Sequence, residues 1–342
     1  MDTTLILVAL IIAVALAFDY INGFHDAANS VATIIATRVL TPFQAVAWAA
    51  FWNFIAAFAF ETGVASTVGK GMVDLKIVTP YVILAGLLGA ITWDLITWYF
   101  GLPTSSSHAL LGGYGGAAMA KVAMTIGVTH IFEALVIDGW IRTIAFIVIS
   151  PLLGMLLAYL LMIAIFWIFR RASPSKMDNW FRMLQLLSSA IFSFAHGTND
   201  AQKTMGIITG VLVTAGYLNT FVVPIPVIFA AHIAIGLGTL SGGWRIIRTM
   251  GGRLTRLKPR GGFSAETAAA VSILFATFLK MPVSTTHVIA GAIVGVGSIQ
   301  RLKAVRWGLA TNIIWAWVMT IPASAFVGAV VMFFIQLAFG KN

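Results

Sequence analysis

The chain has no cysteine in 342 residues, which excludes disulfides and cysteine-ligated metal centres but leaves its redox compartment open. It is also poor in charge. Asp, Glu, Lys and Arg make up 9% of it, against about a quarter of an average soluble domain. Acidic residues number only 11, while 60% of the residues are hydrophobic. Water cannot solvate most of such a surface, so a single soluble fold is excluded. In place of charge come long apolar runs, over 3–18, 42–62, 79–100, 140–169, 219–240, 264–280 and 304–337. About 20 such residues span a hydrocarbon core as a helix. No basic stretch precedes the first run, which argues against a cleaved signal peptide and for a first span kept in the mature protein. The expected fold class is all-α, a polytopic membrane protein.

The net charge of +10 could point to nucleic acid, but Lys and Arg gather in short segments between apolar runs, as in cytoplasmic loops. These are 170–182 (Arg170, Arg171, Lys176, Arg182), 242–262 (Arg245, Arg248, Arg253, Arg256, Lys258, Arg260) and 299–306 (Arg301, Lys303, Arg306). All three are expected on the cytoplasmic face of the plasma (inner) membrane. No nucleic-acid partner is expected; the lipid bilayer is the partner that this pattern implies.

Two motifs occur twice. Gly23-Phe24-His25-Asp26-Ala27-Ala28-Asn29-Ser30 is matched 174 residues later by Gly197-Thr198-Asn199-Asp200-Ala201-Gln202-Lys203-Thr204. Pro103-Thr104-Ser105-Ser106-Ser107-His108 with Gly112 is matched 179 residues later by Pro282-Val283-Ser284-Thr285-Thr286-His287 with Gly291. Two pairs in one order at nearly one offset indicate a duplication: a first transmembrane repeat over 1–169, a basic cytoplasmic linker over 170–182 and a second repeat over 183–342. If 3–18 with 31–40, and 183–193 with 204–216, each form one span broken at the polar motif, the first half crosses five times. The second half then lies upside down, and all three basic segments fall on one side with both termini extracytoplasmic. That is the inverted-repeat architecture of many secondary transporters. Hairpin insertion of 104–120 and 283–299 would defeat this parity count, so the number of spans is a weaker expectation than the inversion.

Carboxylates inside a bilayer cost about 2.5–3.5 kcal/mol on insertion scales and tend to be paired and functional. Asp26 and Asp200 are the matched pair, set where Gly, Asn and small residues interrupt apolar runs, and broken helices are a known device for exposing backbone groups to ions. The hydroxyl runs Thr104–Ser107 and Ser284–Thr286 each follow a proline, which suits a first helical turn whose N–H groups and hydroxyls can donate to an anion. The bland alternative for both sets is interhelical hydrogen bonding. Lys203 replaces Asn29 of the first repeat; it either neutralises a substrate anion or pairs with Asp200. Asn53 and His232 correspond at the second offset and are secondary candidates. Asp94 and Glu61 sit near span ends, where they can reach the interface, and His130 lies in the loop-like 121–139. A Ser–His hydrolase built on Ser107-His108 or Thr286-His287 is disfavoured, because adjacent helix residues diverge and no nucleophile elbow is present.

Asn22-Gly23-Phe24-His25-Asp26-Ala27-Ala28-Asn29-Ser30, Gly101-Leu102-Pro103-Thr104-Ser105-Ser106-Ser107-His108 and Ser193-Phe194-Ala195-His196-Gly197-Thr198-Asn199-Asp200-Ala201-Gln202 resemble the signatures of the PiT family of inorganic phosphate transporters, and the likeness extends over essentially the whole chain. The resemblance implies symport of inorganic phosphate with Na⁺ or H⁺ at a site between two inverted repeats, and no other cofactor. It gives the coupling-cation role to Asp26, Asn29, Asp200 and Asn199, with Asn22 beside them in the motif, and Na⁺ to Asp26 and Asp200. It gives the phosphate role to Ser105, Ser106, Ser107, Ser284, Thr285 and Thr286, with Thr104 and Lys203 adjoining. His25 stands where many members have Asn, and Asn53 and His232 where some have Glu, so the coupling ion does not carry over. The long hydrophilic loop of eukaryotic members is missing, which marks the compact prokaryotic form. A sulfate permease of the same fold, an ion channel and a membrane enzyme are the rival readings, the enzyme reading being disfavoured, and a homodimer is left open. No ATP-binding pattern is present, so an ion gradient is the expected driving force. Two matched motifs offer two cation sites, so Na⁺ coupling would be steeper than first order.

Overall fold

The structure, a computed structural model, describes residues 3–252, 254–300 and 305–340. Among these residues it has twelve α-helices and no strand. They are α1 (Thr3–Ala36), α2 (Pro42–Ile55), α3 (Gly63–Gly71), α4 (Pro80–Phe100), α5 (Ser106–Thr125), α6 (Ile137–Ile168), α7 (Pro174–Thr214), α8 (Ile225–Ser241), α9 (Trp244–Gly252), α10 (Pro259–Phe278), α11 (Thr285–Gln300) and α12 (Trp307–Phe339). By length and composition α1, α2 with its 3-10 extension, α4, α6, α10 and α12 can each cross a membrane, and α8 with α9, bent by 70° at their junction, can form a seventh span. Helices are the expected solution where no water is present to satisfy backbone groups. Proline opens α2, α4, α7 and α10 at a position where its missing N–H costs nothing.

The polar motifs do not break their helices. α1 runs 34 residues and α7 runs 41 residues without interruption through Asp26 and Asp200. The reason is that their polar side chains find partners on neighbouring helices, while each motif glycine serves close packing. A Cβ on Gly197 would lie 2.7 Å from the Asn53 carbonyl, and one on Gly23 would meet the Ile235 carbonyl. The chain breaks instead just before the hydroxyl runs. Gly101 (φ 67) ends α4 and Lys280 (φ 59) follows α10, both left-handed, and four residues outside any helix or turn, 102–105 and 281–284, lead into α5 and α11. Pro103 and Pro282 therefore lie ahead of the helices, not in their first turns. The basic segments also differ from plain loops: the linker contributes the first residues of α7, and 242–262 contains the short helix α9. Segment 121–139 holds the end of α5 and a 3-10 helix, Val128–Ala134. Arg253, Arg301 and Lys303 lie outside the described residues.

α4 with α5, and α10 with α11, form helical hairpins. α12 covers α5 and α4, and α6 covers α11 and α10. Glycine lets these backbones approach: a Cβ on Gly89 would fall 2.8 Å from Gly328 N. α1 and α7 touch at the centre, with α8 and α9 on α1, and α2 and α3 on α7. Ile144, Leu152 and Leu156 on α6 and Phe326 and Phe334 on α12 are exposed, an apolar surface of the kind that lipid solvates. The protein is thus a multi-pass membrane protein with a polar centre.

Candidate functional site

The two hydroxyl runs meet the two Asp motifs at this centre. Ser105 and Ser284 cap α5 and α11: each side-chain oxygen accepts a backbone N–H three residues on, from His108 at 3.3 Å and His287 at 3.2 Å. That leaves Ser106, Thr285 and Thr286 to face the carboxylates and Ser107 to face Lys203. Ser106 Oγ donates to Asp26 Oδ1 at 3.5 Å, and Thr285 Oγ1, its match in the second half, donates to Asp200 Oδ2 at 3.4 Å. Thr286 Oγ1 reaches Asp26 Oδ2 at 3.4 Å and accepts from Asn29 Nδ2 at 2.8 Å. All sixteen candidates named from the sequence are at most 3% exposed. The N–H groups of Ser106 and Ser107 in α5, and of Thr285 and Thr286 in α11, precede the capped histidines, have no intrahelical acceptor and add to the donors.

Charges here are paired. Lys203 Nζ donates to Asp200 Oδ1 at 2.5 Å, to Ser107 Oγ and to the Val283 carbonyl at 3.0 Å. His196 Nε2 lies 3.3 Å from Asp200 Oδ2. His25 Nδ1 lies 2.9 Å from Asp26 Oδ1, and its Nε2 lies 3.0 Å from Thr97 Oγ1 and 3.4 Å from Thr104 Oγ1. Ligand atoms of Asp26, His196 and Asp200 fall within 4.8 Å of one another, a spacing that could hold one cation. Asn199 Nδ2 donates to Thr277 at 2.9 Å and to the Met281 carbonyl at 3.3 Å, tying α7 to the α10–α11 turn. Asn53 acts one step back, between His196 at 3.2 Å and Thr239 at 2.9 Å. His232 bonds the Ile228 carbonyl of its own helix and does not join the cluster.

Four contributors escaped the sequence reading. Asp19, fully buried, faces Asn22 and Thr204, and among the described residues neither of its oxygens, nor Asn22 Oδ1 or Thr204 Oγ1, makes a hydrogen bond of good geometry. The available signal was spacing, since seven residues before Asp26 is two turns along one helix face. Asp94 is not near an interface but fully buried in α4, facing His25, Asp26 and Ser106. His196 lies inside a quoted motif, and Thr97 has no sequence signal. His108 and His287 pack on each other, ring centroids 4.8 Å apart, and His287 stacks on Trp317 at 3.8 Å. Neither shows a bond to a hydroxyl, which removes the geometry that a Ser–His hydrolase needs.

A cavity of about 760 Å³ lies beside the α10–α11 turn, lined by Lys70, Asp138, Arg142, Lys280 and Met281 among others. A smaller one, about 190 Å³, lies beside the α4–α5 turn against Arg245 and Arg248. Each turn is clasped by a threonine from a short helix: Thr67 of α3 donates to the Lys280 carbonyl at 2.8 Å, and Thr249 of α9 to the Gly101 carbonyl at 2.9 Å.

The family model of the "Phosphate transporter family" matches residues 22–328. A protein of Rhizobium meliloti (strain 1021) described as a "Probable low-affinity inorganic phosphate transporter" is 52% identical over 98% of this chain and 99% of its own length. One so described from Bacillus subtilis (strain 168) is 46% identical over 99% of this chain and all of its own. Among solved structures, one described as "The sodium-dependent phosphate transporter" superposes with a TM-score of 0.84 at 25% identity, covering 97% of this chain and 99% of that one. These relatives are transporters, not enzymes, and they agree with the motifs that meet at the buried centre. The chain belongs to the phosphate transporter family.

Proposed function

We propose that the protein is a secondary transporter of the plasma membrane that carries inorganic phosphate inward together with Na⁺ or H⁺. The observation that carries this is the pairing of each buried carboxylate with the hydroxyl run of its own half, Asp26 with Ser106 and Asp200 with Thr285, at the N-termini of α5 and α11. Donors come from Ser106, Ser107, Thr285, Thr286 and the first-turn N–H groups, with Ser105 and Ser284 holding those turns in shape. Near neutral pH phosphate keeps a proton and needs an acceptor as well. Asp26 Oδ2 supplies it, since its one bonded neighbour among the described residues is Thr286 at 3.4 Å.

Coupling cations offset the carboxylates. Asp26, Asn29, Asp200 and Asn199 come from the family resemblance; Asp19 and Asn22 join them because their buried, unpartnered oxygens are cation ligands. Na⁺ coupling is favoured by the description of the solved relative. H⁺ coupling is favoured by His25, whose ring bridges Asp26 and Thr97 and would neutralise Asp26 on protonation.

The two halves read as inverted repeats, 1–169 and 183–342. α12 on α5 corresponds to α6 on α11, α3 on α7 to α9 on α1, and Pro151 inside α6 to Pro322 inside α12. With the two hairpins entering and leaving on one face, each half crosses an odd number of times. The basic segments 170–182 and 242–262 remain cytoplasmic, and both termini remain outside.

The test is competition. Excess sulfate, which has no proton to donate, should leave labelled phosphate uptake nearly unchanged, whereas arsenate should inhibit it, because an unpaired buried acceptor is costly. Equal inhibition by both would favour the sulfate-permease reading.

A further inference from the structure

Asn29 and Lys203 occupy the same place in the two motifs, and the structure gives them equivalent surroundings. Asn29 of α1 bonds Thr286 on α11, and Lys203 of α7 bonds Ser107 on α5, the residue that matches Thr286. The two differ in what reaches the carboxylate three residues earlier. Asn29 is too short and uncharged, so Asp26 is left with His25 and long contacts to hydroxyls. Lys203 sets an ammonium directly on Asp200.

The shell of that ammonium is a carboxylate oxygen, a hydroxyl oxygen and a backbone carbonyl from the extended stretch before α11. Such oxygens, including unwound backbone carbonyls, are what transporters use to hold Na⁺. An ammonium has three donors, and all three are occupied by protein oxygens. None is left for a substrate anion. Lys203 is also only 1% exposed, and a buried ammonium is stable only when so paired. Because Ser107 Oγ accepts from Lys203, its own proton is free to be donated to an anion.

We propose that Lys203 is a tethered cation: its ammonium permanently fills the second of the two coupling-cation positions, so transport uses one fewer mobile cation than the paired motifs would allow. This rests on the symporter reading and refines it. The cation at the first position arrives and leaves with each cycle, whereas the charge at Asp200 belongs to the protein. The steeper-than-first-order Na⁺ dependence expected from two matched motifs loses its second site.

The experiment counts bound Na⁺ on purified protein in detergent, using ²²Na⁺ without phosphate, for the wild type, Lys203→Asn, Lys203→Gln and the double variant Asp200→Asn with Lys203→Asn. Expected is a gain of one bound Na⁺ in Lys203→Asn or Lys203→Gln, abolished in the double variant. Equal Na⁺ counts in the wild type and both Lys203 variants would overturn the proposal. Phosphate uptake by the wild type is measured in parallel: its absence would defeat the symporter reading, while intact uptake with unchanged Na⁺ counts would defeat only the tethered cation.

Discussion

At the scale of single residues, the site is a set of carboxylates whose charge must be offset before an anion can enter. Asp26 and Asp200 are fully or almost fully buried and sit near each other, so removing either changes the field that a bound phosphate meets. Asp26→Asn and Asp200→Asn should each abolish concentrative phosphate uptake while the protein still purifies as a folded species. Normal cation-dependent uptake in both variants would refute their role. Asp19→Asn should weaken the dependence of uptake on the cation without removing transport, seen as a shift of the half-saturating cation concentration. The Asp motifs and hydroxyl runs were legible because they recur at fixed offsets. Asp19 and Asp94 were not, since neither has a match in the other half and the burial of each comes from helices distant in sequence.

Among elements, a second polar cluster ties α10 to α1 and α7. Glu266 accepts from Thr33 at 2.5 Å, Gln185 at 3.0 Å and Ser188 at 2.5 Å, and Thr37 donates to Gln185 at 2.8 Å. Glu266→Ala leaves these buried donors without their acceptor and should cost about 1–3 kcal/mol, read as a lower melting temperature of the detergent-solubilised protein. An unchanged melting temperature would mean that the cluster does not hold the three helices together. Helix boundaries such as those of α4, α6 and α12 follow closely from apolar runs. The continuity of α1 and α7 does not follow, because a polar stretch in an apolar helix looks like a break until its partners on α4, α5, α10 and α11 are known. The short helices α3 and α9 were likewise hidden, being nine residues each and stabilised by packing against α7 and α1.

For the whole molecule, both cavities lie beside hairpin turns, and the larger is rimmed by Lys70, Arg142 and Lys280, of which Arg142 pairs with Asp138 at 2.8 Å. A net positive vestibule concentrates anions and raises their on-rate, an effect that salt screens. Lys70→Glu should therefore lower kcat/KM for phosphate roughly tenfold at low ionic strength, with the deficit shrinking as salt is added. A salt-independent loss would assign Lys70 a packing role instead. Orientation can be read from single cysteines in this cysteine-free chain: Thr220→Cys should be labelled from outside intact cells, and Ser175→Cys only after permeabilisation. The most direct measurement of the central claim is uptake of radiolabelled phosphate into proteoliposomes, with Na⁺ and pH gradients imposed separately. The account expects accumulation above equilibrium under one of these gradients, collapsed by the matching ionophore. Phosphate flux that merely equilibrates, indifferent to both gradients, would contradict it and describe a channel.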